Sequence, residues 1–139
     1  MLSAYPACFI KEDVGYSVIF PDLGIATCGD DLEEALTMAV DCLAGFLYSE
    51  NLENNPIPPA SNLKDIDVQK VMDELEVTSD EAFVNIVTVD VAEYAKLHFT
   101  TSVRKNLTIP AWLNDAAIKQ NINFSQVLQE ALMQKVQMK

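Results

Sequence analysis

The sequence predicts an α+β protein made of two modules. Three short apolar runs separated by turn residues fill the first part of the chain, and an apolar stripe at helical spacing follows them. The charge changes sign near the C-terminal third. Residues 1–99 hold four basic and 19 acidic residues, a net charge of −15, whereas residues 100–139 hold five basic and two acidic residues, a net charge of +3. Because such asymmetry is typical of modules with different partners, we expect domains at 1–98 and 99–139.

The first module begins with three predicted strands. They cover residues 5–10, 16–20 and 25–28, and each is followed by turn residues. Gly15 ends a polar segment after the first strand, and a Pro-Asp-Leu-Gly segment at 21–24 follows the second. Glycine and proline in these positions are strong turn signals, so the three strands are expected to form a meander.

A long helix is expected after the third strand. Asp30 is predicted to be its N-cap, with Glu33 as the capping-box partner at the third helical position. Apolar residues then recur at spacings of three or four, at Leu32, Leu36, Val40, Leu43 and Leu47. This spacing places them on one helix face, which we expect to pack on the sheet.

The rest of the first module completes the α+β arrangement. Three prolines within 54–62 interrupt the helix and indicate a loop. The pattern of apolar residues then predicts a short amphipathic helix at 67–76, a buried strand at 82–89 and a short helix at 91–97. The fourth strand is expected to join the meander, with helices covering the sheet.

The second module is predicted to contain one strand followed by two helices. Apolar and polar residues alternate at 102–109, which predicts a strand. Pro110 suits the first turn of a helix, and Asn121 suits the left-handed residue that ends it. Asn123 with Gln126 forms a capping box for the second helix. One short strand cannot cover two helices, so we expect a homodimer, or a higher assembly, in which two strands pair antiparallel.

Three side chains on the polar face of the predicted strand have the chemistry to read DNA bases. Arg104 can bond guanine O6 and N7, Asn106 can bond adenine N6 and N7, and Thr108 offers a hydroxyl and a methyl group. The alternative interpretation is that these side chains only solvate an edge strand. Lys105 lies on the inward side of the alternation, so it must snorkel, flip or reach a phosphate.

The pattern of strand, Pro110, helix, asparagine turn and helix, from about residue 100 to residue 138, resembles a ribbon-helix-helix module of the Arc and MetJ type. The resemblance implies that two paired strands enter the major groove of operator DNA, where the three side chains above read bases. The start of the second helix offers backbone N–H groups and a positive dipole end to a phosphate. Phosphate contacts are therefore expected from Lys105, Asn123, Phe124 and Ser125. The alternative is that the asparagine and the serine only cap the helix.

Residues of the first module match a second known pattern, at Phe9, Gly15-Tyr16, Phe20 to Leu23, Gly29-Asp30 and Glu34-Ala35. This pattern resembles the HicB antitoxin family. The resemblance implies a partial ribonuclease H-like fold and an antitoxin that neutralises a small basic HicA mRNA interferase and represses its own operon. An acidic module suits a basic toxin, although acidic residues can also serve only solubility. Toxin contacts are expected around Phe20 and Asp22.

Neither an enzyme nor a cofactor site is expected. The three cysteines, Cys8, Cys28 and Cys42, are widely spaced and are predicted to be buried reduced thiols rather than metal ligands. His98 is the only histidine and is expected to have a surface or capping role. The first predicted strand also holds no carboxylate, which two-metal nuclease chemistry typically requires on a central strand.

The expected location is the cytoplasm. The start of the chain lacks a basic segment followed by a long apolar core, and the longest apolar run falls short of a membrane span. An alternative function is also consistent with the sequence: a ribbon-helix-helix repressor whose N-terminal domain senses a small molecule.

Overall fold

The computed structural model describes residues 1–99 and 104–137, which belong to two compact units divided between residues 101 and 102. The described part of unit 1 contains β1 (Leu2–Lys11), β2 (Tyr16–Phe20), β3 (Ile25–Gly29), α1 (Leu32–Leu52), a 3-10 turn (Leu63–Asp65), α2 (Val68–Leu75), β4 (Ala82–Asp90) and α3 (Val91–His98). The described part of unit 2 contains α4 (Ala111–Lys119) and α5 (Phe124–Gln137).

The four strands of unit 1 form one antiparallel sheet in the order β3-β2-β1-β4. The predicted meander and the fourth strand are therefore both present, and β4 lies beside β1. Gly15, with φ 79°, and Gly24, with φ 66°, occupy the two turns of the meander in a backbone region that favours glycine. Phe9 of β1 is fully buried and stacks on Phe83 of β4, with ring centroids 5.1 Å apart.

Helix α1 covers one face of the sheet, but its buried face differs from the predicted stripe. Leu43 and Leu47 are buried as expected, whereas Leu32 and Leu36 are 38% and 40% exposed. Small residues face the sheet at that end of the helix instead, and Ala35 is fully buried there. The helix is too close to the sheet at this point to admit leucine side chains.

The N-cap of α1 also lies one residue later than predicted. Asp31, rather than Asp30, adopts the extended backbone of an N-cap, and its Oδ1 accepts a hydrogen bond from the Glu34 N–H at 2.8 Å. Strand β3 extends to Gly29, which moves the start of the helix forward by one residue. The acidic residues that interact favourably with the positive end of the helix dipole are thus Glu33 and Glu34.

Three hydrogen bonds tie the predicted loop after α1 to β1 and to the turn between β2 and β3. The Tyr5 hydroxyl donates to the Pro58 carbonyl oxygen at 2.6 Å. The Asp22 carboxylate accepts from both the Ser61 N–H, at 2.8 Å, and the Ser61 hydroxyl, at 2.6 Å. Helix α2 follows with Asp67 as its N-cap. These contacts hold the loop in place beside the turn between β2 and β3.

Helix α3 is anchored on α1 by a cluster of aromatic side chains. The Tyr94 hydroxyl donates to Asp41 Oδ1 at 2.9 Å, and burial together with this carboxylate raises the pKa of the tyrosine. Phe99, just after α3, packs against Tyr94 and Tyr48 at centroid distances of 5.4 and 5.3 Å. Phe99, the last described residue of unit 1, is therefore held against α1 by its contact with Tyr48.

Unit 2 has the predicted pair of helices. Asn121 has φ 54°, the left-handed conformation expected at the end of α4. Asn123 Oδ1 accepts from the Gln126 N–H at 3.1 Å and so caps α5, as predicted. None of the helices in the described parts of the chain is both long enough and apolar enough to cross a membrane.

Candidate functional site

The segment predicted to read DNA has no regular secondary structure in the single chain. Residues 104–110 form neither a helix nor a strand, so the predicted strand is absent over residues 104–109. Residues 102 and 103, where that strand was expected to begin, lie outside the described residues. A strand is held by hydrogen bonds to a neighbouring strand, and the sheet of unit 1 contains only β1 to β4 among the described residues. The prediction fails for the single chain because this segment has no strand beside it there.

The side chains expected to contact DNA are all accessible. Arg104, Asn106 and Thr108 are exposed, and so is Lys105 between the first two. The alternation therefore does not bury the lysine in the single chain, which leaves it as available to a phosphate as its neighbours.

The start of α5 offers the exposed helix end that was predicted to contact a phosphate. Asn123, Phe124 and Ser125 are exposed. The side-chain oxygen of Asn123, Oδ1, already accepts a hydrogen bond as the cap of α5. The Ser125 hydroxyl accepts a hydrogen bond from the Gln129 side-chain amide at 3.1 Å. The first N–H groups of an α-helix have no acceptor within the helix, so the backbone is the stronger anion-binding element here.

Unit 2 exposes an unusual amount of apolar surface. Within residues 104–137 only Ala117 is buried. Large apolar side chains that are exposed include Leu107, Ile109, Trp112, Leu113, Ile118, Ile122, Phe124, Val127, Leu132, Met133 and Val136. Monomeric soluble proteins rarely leave such a surface in water, so these side chains form a candidate protein interface.

The two residues expected to contact a toxin are occupied within unit 1. Phe20 is fully buried in the core and exposes no surface to a partner. Asp22 is partly buried and holds Ser61 through both carboxylate oxygens. The prediction for Phe20 is therefore wrong as a direct contact, because its side chain points into the core beneath α1. Asp22 instead orders the loop around Ser61, a role that no local pattern in the sequence signalled.

Unit 1 contains an open groove of about 410 Å³ with an acidic lining. It lies between the end of β1 and the segment before β4, and its acidic side chains are Glu12, Asp13, Asp80 and Glu81. Lys11 lines the same groove and pairs with Glu81 at 3.3 Å. The Ser79 hydroxyl also donates to the Lys11 carbonyl oxygen, which joins the two sides of the groove.

The cysteines differ in environment more than predicted. Cys8 is fully buried, and burial, with a smaller effect of the Asp67 carboxylate, raises the pKa of its thiol to about 11. Cys42 is half-buried, with a pKa raised by the same cause. Cys28 is exposed at the edge of the sheet, so the prediction of three buried thiols is wrong for this residue. Cys28 is exposed because β3 is an edge strand that α1 covers on only one face.

His98 lies on the surface, as predicted. It is exposed and stacks on Tyr94 with ring centroids 4.1 Å apart. Among residues 1–99 and 104–137, no group of three or more His, Cys, Asp or Glu side chains is arranged to hold a metal ion.

Two kinds of comparison relate the chain to known proteins. The sequence profile of a family described as the HicB-like antitoxin of bacterial toxin-antitoxin system matches residues 5–136. A protein named Antitoxin HicB 2, from Photorhabdus laumondii subsp. laumondii, is 44% identical over 57 residues. That alignment covers 39% of this chain and 41% of the relative, so the chain matches less than half the length of that protein.

A solved structure is similar over nearly the whole chain. It is described as a toxin-antitoxin complex from Streptococcus pneumoniae, and its matching chain is 32% identical with a TM-score of 0.62. The match covers 97% of this chain and 99% of that one. The mixed α+β fold with its antiparallel four-stranded sheet is therefore shared with that structure.

Proposed function

The chain belongs to the HicB-like antitoxin family of bacterial toxin-antitoxin systems, and from that premise we propose that it neutralises a toxin and represses the genes of the pair. Unit 1 binds a small basic HicA-type mRNA interferase in the cytoplasm, and unit 2 forms a ribbon-helix-helix dimer on operator DNA. The observation that carries the first role is the family match over residues 5–136. In this proposal unit 1 has a partial ribonuclease H-like fold and carries no catalytic activity.

The charge of unit 1 supports binding of a basic toxin. A net charge of −15 over residues 1–99 attracts a cationic protein and speeds its encounter. The acidic groove around Glu12 and Asp80 is a surface where such a partner fits better than at Phe20, because the groove is open and the phenylalanine is buried. The toxin interface therefore lies on the acidic surface rather than over the core.

The exposed apolar surface of unit 2 supports dimerisation. Leu107 is 65% exposed and Val136 is 70% exposed, so neither the segment at 104–110 nor helix α5 has a covered apolar face in the single chain. Pairing of two 104–109 segments as antiparallel strands supplies the hydrogen bonds that the single chain lacks, and the helices then pack beneath them. The dimer presents Arg104, Asn106 and Thr108 from both copies to the major groove.

The antitoxin role is tested by co-expression with the product of a neighbouring gene. We expect the full chain to co-purify with a small basic protein and to restore growth of cells that express it. The complex should weaken as salt is raised, because attraction between opposite charges is screened. If the small basic protein still inhibits growth fully when this chain is present in excess, that result contradicts the role.

The DNA-binding role is tested with Arg104→Ala. Loss of a bidentate guanine contact costs about 1–3 kcal/mol, so operator binding should weaken by roughly 5- to 150-fold per contact in a gel-shift or anisotropy assay. Arg104→Lys is the matched control, since it keeps the charge but loses the planar fork, and it should retain binding to unrelated DNA. Equal affinity of all three proteins for the operator contradicts base reading by this residue.

A further inference from the structure

We propose that the end of unit 1 at which α1 begins is the docking surface for the basic toxin. The inference rests on the proposed function, because it names where on unit 1 that partner binds. The surface comprises the turn at residues 12–15 and residues 30–36 at the start of α1, and we name it the α1-start surface. It combines exposed apolar side chains, which hold a partner, with acidic side chains, which attract a basic one.

The topology of the sheet brings the two segments of this surface together. Lys11, the last residue of β1, pairs with Tyr16, which in turn pairs with Gly29 at the end of β3. The turn between β1 and β2 and the start of α1 therefore leave the sheet at the same end. They also lie against each other, because a Cβ atom added at Gly15 would lie 2.9 Å from the Asp30 Cα atom.

Three large apolar side chains on this surface are open to solvent. Val14 in the turn is 78% exposed, and Leu32 and Leu36 on α1 are 38% and 40% exposed. The two leucines are four residues apart, so they lie on the same helix face, one turn from each other. The close approach of α1 to the sheet at Ala35 keeps them out of the core. Neighbouring exposed apolar side chains of this kind are typical of a protein-binding site.

The same two segments are strongly acidic. The four residues at 12–15 and the seven at 30–36 include six acidic residues and no basic residue, a net charge of −6. The acidic residues are Glu12, Asp13, Asp30, Asp31, Glu33 and Glu34. None of these six carboxylates forms a salt bridge with a basic group in the described part of the chain. The positive end of the α1 dipole offsets only about half a unit charge, so the surface stays negative.

A basic protein is the occupant that these charges favour. The charge of −6 on this surface repels nucleic acid, and it also repels unit 1 of a second copy, in which residues 1–99 have a net charge of −15. The toxin is the basic protein that the proposed function supplies. The apolar contacts then add affinity, which exposed ion pairs alone provide only weakly.

The exposed side of β4 lacks this combination of charge and apolar surface. Asn85, Ile86 and Thr88 are exposed there, so the prediction of a buried strand is wrong on that side. Residues 82–89 contain no charged residue that could attract a basic partner. Charge therefore directs a basic toxin to the α1-start surface rather than to β4.

Two substitutions on the same helix test the apolar contact in the full chain. Leu36→Gln removes an apolar side chain from the α1-start surface, whereas Leu52→Gln removes an exposed one about 24 Å farther along α1. The probe is the purified small basic protein that the neighbouring gene encodes. We expect Leu36→Gln to weaken binding of this protein by about tenfold or more, mainly through faster dissociation. Leu52→Gln should bind it like the unmodified chain.

The outcomes of this test separate the docking surface from the proposed function. If the unmodified chain binds the basic protein and Leu36→Gln binds it as tightly as Leu52→Gln, the docking surface is overturned while the antitoxin role stands. If the unmodified chain fails to bind it, both are overturned. Circular dichroism checks that Leu36→Gln is folded. If it is not, Val14→Ser decides instead, because it changes only an exposed turn and should weaken binding likewise.

Association rates test the acidic part of the surface. Glu33→Gln should slow association with the basic protein at low salt and reduce the salt dependence of the rate, because it removes a charge close to the contact. Glu53→Gln is the matched control, since it removes the same charge at the other end of α1, and it should slow association less. Equal effects of the two substitutions overturn the placement of the toxin.

Hydrogen exchange locates the contact without any substitution. The Leu32 and Glu33 amides belong to the first turn of α1, where N–H groups have no acceptor within the helix. They should therefore exchange rapidly in the free chain and slowly in the complex with the basic protein. If these amides already exchange slowly in the free chain, another part of the protein covers the surface and the proposal is overturned. Protection that appears on binding only elsewhere in unit 1 also overturns it.

Discussion

At the scale of single residues, similar side chains take different roles because their surroundings differ. Asp31 caps α1 and Asp22 holds Ser61, although both lie in short polar segments of the first module. The cysteines show the same divergence: Cys8 lies in the core and Cys28 lies on the surface. A thiol in the core resists ionisation, because its anion would lose its hydration.

The pH dependence of stability should reveal the buried thiol. The pKa of Cys8 in the folded chain, about 11, lies above the ordinary value of 9.0. The stabilising contribution of the protonated thiol is therefore complete below pH 9 and is lost as the pH rises from about 9 towards 11. Thermal unfolding from pH 8 to pH 11 should show a steeper loss of stability in the wild-type chain than in Cys8→Ala.

Cys28→Ala is the control for this measurement, since it removes an exposed thiol instead of the buried one. Identical slopes for the wild-type chain and for Cys8→Ala would contradict the assignment of the buried thiol.

At the scale of elements, the contact between α1 and the sheet decides which residues are buried. A Cβ atom at Gly29 would lie 2.3 Å from the Ala35 backbone nitrogen and 2.7 Å from its Cα. Helix and strand thus approach so closely that only glycine fits at this point of the strand, and the helix residue that faces it is the fully buried Ala35. This explains why Leu32 and Leu36 lie partly in solvent although their spacing fits the apolar stripe.

Gly29→Ala should therefore destabilise unit 1 strongly. The added methyl group meets backbone atoms, which cannot rotate away, so we expect a loss of about 3 kcal/mol or more in the free energy of unfolding. Gly24→Ala is the matched control, because it has open space around the new Cβ and meets only the cost of a left-handed backbone, about 1 kcal/mol. Chemical denaturation measures both, and equal losses would contradict the close approach.

At the scale of the whole molecule, the chain joins a unit with its own core to a unit that lacks one. Unit 1 buries Phe9, Phe20 and Leu43 completely, whereas unit 2 buries only Ala117 among its described residues. A unit without a core depends on a partner for stability, so the proposed dimerisation of unit 2 is a precondition of its proposed DNA binding.

A chain shortened to residues 1–99, which keeps Phe99 against Tyr48 and Tyr94, should separate the two proposed roles. It retains the sheet and its helices, so we expect it to fold and to neutralise the toxin, while its affinity for operator DNA falls to the background level. Growth rescue and gel-shift assays measure the two activities. Failure of a folded fragment to rescue growth would contradict the assignment of toxin binding to unit 1.

The sequence by itself determined the elements of this protein and the contrast between its two parts. Period-two and helical spacing, turn glycines and capping residues are local signals, and they located the four strands of unit 1 and the helices within a few residues. Only the tertiary structure decided that Asp31 caps α1, that Ala35 replaces the leucines against the sheet, that Phe20 is buried in the core and that β4 pairs with β1. Spacing along a chain defines which face a residue occupies, but not how closely another element approaches that face. Spacing also does not define whether a segment has a neighbouring strand to pair with. For this reason it predicted a strand at 104–109, which the single chain does not form.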